Sequence, residues 1–334
     1  MTMKRLLAFI LLAPLGIQVF AGDKPAYRLF DREGREVKYS KMMKELEDAD
    51  IIFFGELHTD PLAHWMQLEM TKDLFDLKKE DLVLGAEMFE ADNQLILDEY
   101  LAGRYEADKF EAEMKLWGNY QTDYKPLVEF ARKNHIPFVA TNIPRRYASM
   151  VNYKGFGSLD GLSDEAKRFI APLPILYDPE VKCYKDMLEM PAMGMPAGGM
   201  KAMPGETKAM PGETKAMPDT TKAMPVHQAA MPGMMKGMPP MENLPKAQAA
   251  KDATMAYFIL KHWKRGKTLF HLNGSYHSDN FEGIVWHLKQ KNGELKIMTI
   301  ATVQQEDLEK LDEENLNIAN FILCVPESMT RTNR

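Results

Sequence analysis

The chain has 334 residues, 45% hydrophobic and 27% charged, enough apolar material for a packed core, which excludes a wholly disordered protein. Lys and Arg number 42 against 48 Asp and Glu, a net charge of -6, so the chain lacks the basic excess on which nucleic-acid binders depend and that class is set aside. Met and Pro are numerous, 26 and 20, and they cluster in one segment.

At the N-terminus, Lys4-Arg5, an apolar run from Leu6 to Phe20 and a small residue at Ala21 predict a cleaved secretory signal peptide over residues 1–21. No Cys lies near that point, so a lipid-modified N-terminus is not expected. No other stretch has the roughly 18 apolar residues of a membrane span. The expectation is an exported protein, periplasmic or extracellular, with no transmembrane segment in its mature chain.

Ala26 to Tyr39 alternates around Arg32-Glu33-Gly34, which predicts a small hairpin leading into a helix over Ser40 to Glu47. Short apolar runs at Ile51 to Phe54, Leu82 to Met88, Pro137 to Thr141, Thr268 to Asn273, Lys296 to Val303 and Asn320 to Val325 read as strands. Helical patterns separate several of them: Pro61 to Leu77, Gln94 to Leu101, Lys125 to Asn134 and Phe281 to Lys291. This alternation predicts one α/β domain over residues 22–334, with a largely parallel sheet flanked by helices.

Residues 190–245 interrupt that domain with a Met/Pro-rich insertion. Met203, Met210, Met217, Met224, Met231 and Met238 recur every seven residues, each followed by Pro, and Pro in every copy forbids a continuous helix. The repeat therefore predicts an extended or disordered loop between helices at Pro179 to Glu189 and Lys246 to Arg265. Its thioethers, with His227, are soft donors suited to Cu(I); plain repeat expansion of a surface loop is the simpler account. Cys183 and Cys324 are too few for a disulfide scaffold, and whether they are bridged is open.

Chemistry gathers at the predicted strand ends. The first long strand runs into Gly55-Glu56-Leu57-His58-Thr59-Asp60-Pro61, with His64 and Gln67 at helical spacing behind it. The second ends in Glu87 and Glu90, the third in Asn142, Arg145 and Arg146, and the fourth in Gly274-Ser275-Tyr276-His277. In open α/β sheets ligands bind beyond the carboxyl ends of the strands, so Glu56, His58, Glu87, Arg145 and His277 are expected to meet in one site. Glu56, His58, Glu87 and His277 suit a divalent metal, and the same set with Arg145 suits acid–base work.

These motifs resemble the ChaN-like haem-binding uptake family. The carriers are the Gly55-Glu56-Leu57-His58 turn, Pro61, His64 and Gln67, the Glu87-Met88-Phe89-Glu90 strand end, and Asn273-Gly274-Ser275-Tyr276-His277. The wider Tiki/TraB and erythromycin-esterase-like superfamily is similar in its paired Gly-x-x-His motifs. The resemblance implies haem binding in iron acquisition at the bacterial envelope, alongside other haem-uptake components. It also implies a homodimer holding haem between two subunits, with a tyrosine on the iron and a histidine nearby. No motif identifies that tyrosine here. By chain position and the preference of Fe(III) for phenolate, Tyr120, Tyr124, Tyr147 and Tyr276 are the candidates, beside His58, His64, Gln67 and His277 as pocket residues. The rival reading is a metal-dependent hydrolase of the Tiki/TraB type, in which Glu56, His58, Glu87 and His277 gather a metal and water and Arg145 stabilises an oxyanion.

Overall fold

The computed structural model describes residues 24–189 and 239–333. The expected signal peptide, and the Met-rich repeat with its Cu(I) reading, lie outside these residues up to Met238. Residues 239–245, assigned from sequence to the insertion, include a 3-10 turn at Met241–Asn243 and the first residues of a helix.

In chain order the elements are β1 (Arg28–Asp31), α1 (Tyr39–Leu46), β2 (Ile51–Glu56), α2 (Pro61–Lys78), β3 (Leu82–Glu90), α3 (Gln94–Leu101), α4 (Ala107–Glu113), α5 (Lys125–Asn134), β4 (Phe138–Asn142) and α6 (Arg145–Lys154). They continue with α7 (Asp164–Lys167), α8 (Lys182–Glu189), α9 (Leu244–His262), β5 (Thr268–Gly274), α10 (Ile284–Lys291), β6 (Ile297–Gln305) and β7 (Phe321–Pro326). The strands form one seven-stranded sheet in the order β1-β7-β6-β2-β5-β3-β4. All pairings are parallel except β1 with β7.

The central strands are buried along their whole length, as parallel strands covered on both faces must be. Alternate side chains then serve opposite layers. Ile52, Phe54, Leu84, Phe270 and Leu272 pack with Met66 and Met70 of α2 and Leu127 and Val128 of α5. Ile51, Phe53, Val83 and Leu269 pack on the other face with Met255 and Ile259 of α9 and Val285 and Leu288 of α10. The result is a three-layer α/β/α domain, as the alternation of sequence patterns predicted.

The expected hairpin at residues 26–39 is reduced to a turn closed by a single bridge between Phe30 and Glu36, because β1 finds its ladder on β7 instead. The helix expected from Phe281 starts only at Ile284, since Asn280, Phe281 and Gly283 take positive φ angles. Among the described residues no helix is long and apolar enough to cross a membrane. Cys183 and Cys324 are both free, and they sit in separate apolar clusters.

Candidate functional site

The carboxyl ends of β2, β5 and β3 lie side by side, so residues far apart in sequence converge there. β2 passes directly into α2, whose Pro61 takes the first helical turn. Asp60 caps that helix, accepting from the backbone N–H groups of Leu62 and Ala63, each at 3.0 Å. The cap fixes the angle at which α2 leaves the sheet and brings His64 and Gln67 back over the strand end.

Glu56 is the centre of the first cluster. One carboxylate oxygen lies 2.9 Å from His58 Nδ1 and accepts from the Tyr124 hydroxyl at 2.6 Å; the other accepts from Gln67 Nε2 at 2.6 Å. His64 stands 3.6 Å from Glu56 and 3.3 Å from Asp123, which also accepts from Asn119 Nδ2 at 2.6 Å. Residues 120–124 form a π-turn, a widened turn often found at functional sites. Burial would raise the Glu56 carboxyl, but the imidazoles of His64 and His58 and the bonds from His58 and Tyr124 outweigh it and hold it at about 2.

The second cluster surrounds His277. Its Nδ1 lies 2.5 Å from Asp252 and its Nε2 3.3 Å from Glu87. Asp252, on α9, also accepts from the Tyr184 hydroxyl at 2.8 Å, and Glu87 accepts from the Gly274 N–H at 2.8 Å. Burial alone would discharge His277, but Glu87 and Asp252 raise it to about 10. The same imidazole holds Glu87, against its own burial, well below the usual carboxylate range.

The two clusters meet over Gly274. Glu56 and Gly274 are register partners across β2 and β5. The His58 ring lies so close that a Cβ on Gly274 would stand 2.8 Å from its Cε1 and Nε2. His58 is the one imidazole of this group with real exposure, 27% of its side chain, and its other edge packs against Trp117 with ring centroids 4.9 Å apart.

Four of the five residues expected to meet therefore do so. Arg145 instead donates to Glu90, which also takes Lys115 Nζ at 3.2 Å. The expected metal set divides into two carboxylate–imidazole pairs. Among the described residues no three His, Cys, Asp or Glu side chains are arranged to hold a metal ion, because the oxygens of Glu56 and Glu87 face N–H and O–H groups or histidine rings instead.

Three of the four candidate tyrosines are engaged by neighbouring groups. Tyr124 is held by Glu56, Tyr276 donates to the Cys183 carbonyl at 2.7 Å, and Tyr147 lies under the Arg146 guanidinium at 4.4 Å. Tyr120 is buried beside Phe110, its hydroxyl without a partner. Of the twelve tyrosines, only Tyr153 on α6 is exposed. Sequence reasoning also missed Asp252, Asp123 and Asn119. Asp252 sits mid-helix on a mostly apolar α9, and a buried acid in such a run was the available signal.

Cavities of ≈ 430 and ≈ 380 Å³ lie elsewhere, between α1 and α2 around Tyr39 and Leu77, and beside Arg132 and His135 at the end of α5. They contain none of the converging groups, so the strand-end cluster, where the charged and polar chemistry is concentrated, is the candidate site.

The model of a family described as haem-binding uptake, Tiki superfamily, ChaN, matches residues 42–288; the chain belongs to that family. Among solved structures it is similar to ChaN of Campylobacter jejuni, described for cofacial haem binding. The likeness has a TM-score of 0.59 at 16% identity, covering 92% of this chain and 97% of that one. A looser likeness, TM-score 0.41 at 11% identity, is to a Bacillus cereus protein, over 87% of this chain and 98% of that one. No curated protein matches the chain.

Proposed function

We infer that this member of the haem-binding uptake family binds haem as an exported, periplasmic or extracellular homodimer serving iron acquisition. The observation that carries the reading is the family match over residues 42–288. The Campylobacter protein of the same fold is described as binding haem cofacially, and two haems face to face can be seated between two copies of one chain.

Iron in haem needs a donor that can reach it, and Fe(III) favours a phenolate oxygen. Tyr153 meets that condition at 47% exposure, and α6 packs against the turn that carries Met241, itself 48% exposed. Haem titration of the chain beginning at Gly22, followed at the Soret band and by light scattering, tests this. A saturable shift with defined stoichiometry, lost in Tyr153→Phe and kept in Tyr147→Phe, is expected; a titration resembling free haem overturns the reading.

One observation favours a second reading, acid–base hydrolysis at the strand ends. Glu56 fixes Nδ1 of His58, the orientation in which Nε2 can take a proton from water. Turnover of an ester or amide library that is lost in His58→Ala supports it, and no turnover with any member rejects it.

A further inference from the structure

After β7 the chain does not leave the molecule but turns back over the strand-end site. Thr332 is half-buried there. Its backbone N–H donates to the Thr59 carbonyl at 2.9 Å and its hydroxyl donates to Asp123 at 2.7 Å. Arg331 donates to Gln304, whose amide reaches Asp60 at 3.3 Å. Thr59 follows His58 and Asp123 precedes Tyr124, so Thr332 bridges the loop after β2 to the π-turn that faces it.

We propose that residues 327–333 form a strap that pins the His58 loop and governs how far His58 is exposed at the strand-end cluster. In the pinned state the ring is fixed in one orientation, with 27% of its side chain exposed. Nδ1 faces Glu56 at 2.9 Å, and Nε2 rests over Gly274, where even a Cβ would come within 2.8 Å. The loop carbonyls are held in series: His58 O by Asn119 Nδ2 at 2.8 Å and by His64 Nε2 at 3.2 Å, and Thr59 O by Thr332. Asn119 also bonds Asp123, the group that anchors the Thr332 hydroxyl, so loop, π-turn and strap form one connected clamp.

Releasing the strap frees Thr59 and removes one partner from Asp123. His58 then turns off Gly274 and offers a nitrogen to whatever enters. Strap, loop and π-turn all surround His58, whereas Tyr153 lies on α6, so release of the strap is separable from haem binding at Tyr153.

The test is acylation of histidine by diethyl pyrocarbonate in the full chain, in Thr332→Val and in a chain ending at Pro326, which retains every strand. Modification of His58 is read by peptide mass spectrometry relative to the exposed His135 in the same sample. Loss of one hydrogen bond is worth about a fivefold shift in the opening equilibrium, so Thr332→Val raises the ratio about fivefold and the shortened chain raises it further. Thr332→Val alone decides if the shortened chain fails to fold. A ratio unchanged from the full chain overturns the strap.

Discussion

His58 rests on Gly274, with no room between the imidazole and the Cα for even a methyl group. The relation is reciprocal. A Cβ on Gly55 would stand 2.8 Å from the Cα of Ser275, the residue after Gly274. Each Gly-x-x-His motif thus contributes a glycine that clears space for the other motif's turn, and the pairing of the motifs follows from two adjacent parallel strands ending at the same level.

Gly274 has φ -59 and ψ 139, which any residue adopts, so the effect of Gly274→Ala is purely steric. The substitution should push the His58 ring aside, break its bond to Glu56 and cost about 1–3 kcal/mol, the usual range for overpacking. Gly55→Ala should cost more, because its obstacle is backbone. Urea midpoints of the two variants, with the His58 ring signals in NMR, measure both effects; an unperturbed His58 signal in Gly274→Ala contradicts the close approach.

Stability should fall on both sides of a plateau. Glu56 titrates at about 2 in the folded chain against an ordinary 4.5, so its contribution is complete above 4.5 and is lost as pH falls toward 2, with Glu87 acting in the same direction. His277 titrates at about 10 against an ordinary 6.5, so its contribution is complete below 6.5 and is lost as pH rises through 10. One proton gives a slope of about 1.4 kcal/mol per pH unit on the alkaline limb. Unfolding free energies across pH 3 to 10 should show that slope in the native chain and a flatter limb in His277→Gln.

Asp252 and Tyr184 separate the charged part of the buried relay from its neutral end. Asp252→Asn leaves a buried imidazolium with one carboxylate instead of two and should cost about 3 kcal/mol or more. Tyr184→Phe removes a neutral donor from Asp252 and should cost about 1 kcal/mol. Equal losses in chemical denaturation would mean that the His277–Asp252 contact is not an ion pair.

The sheet was legible because the runs at Ile51, Leu82 and Thr268 are short, apolar and β-rich, and because each ends in polar residues at the one edge where an α/β fold binds ligands. The turn at Glu56 and His58 and the carboxylate at Glu87 could be placed for that reason. Partners supplied by helix faces were not legible. Asp252 reaches His277 from the middle of α9, and Asp123 reaches His64 only because residues 120–124 widen into a π-turn. The surroundings of Tyr124 and Tyr276 were not legible for a related reason: nearness in sequence to a motif does not reveal that Glu56 or the Cys183 carbonyl holds the hydroxyl.

Both thiols should be silent in the native protein. Cys183 and Cys324 are buried, and burial pushes each up to about 12, which leaves almost no thiolate at neutral pH. A thiol reagent at pH 7.5 should titrate neither in the folded chain and both in guanidinium. A prompt reaction of either before unfolding would show that its cluster opens, Phe30 and Ile322 around Cys324 or Val181 and Tyr184 around Cys183.

The cap at Asp60 carries the site more than its distance from the chemistry suggests. Asp60 is fully buried, and its carboxylate holds the first turn of α2 and takes the Gln304 amide at 3.3 Å. Asp60→Ala should cost about 1–2 kcal/mol, the value of a good N-cap, whereas Asp60→Asn should cost less because an amide oxygen can still cap. His64 and Gln67 ride on that turn, and Gln67 fixes Glu56. Asp60→Ala should therefore also loosen Glu56 and raise its carboxyl from about 2 toward 4.5, a change that carboxyl NMR titration detects. A variant that loses stability while Glu56 stays at about 2 would show that the strand end, and not the helix, positions Gln67 and His64.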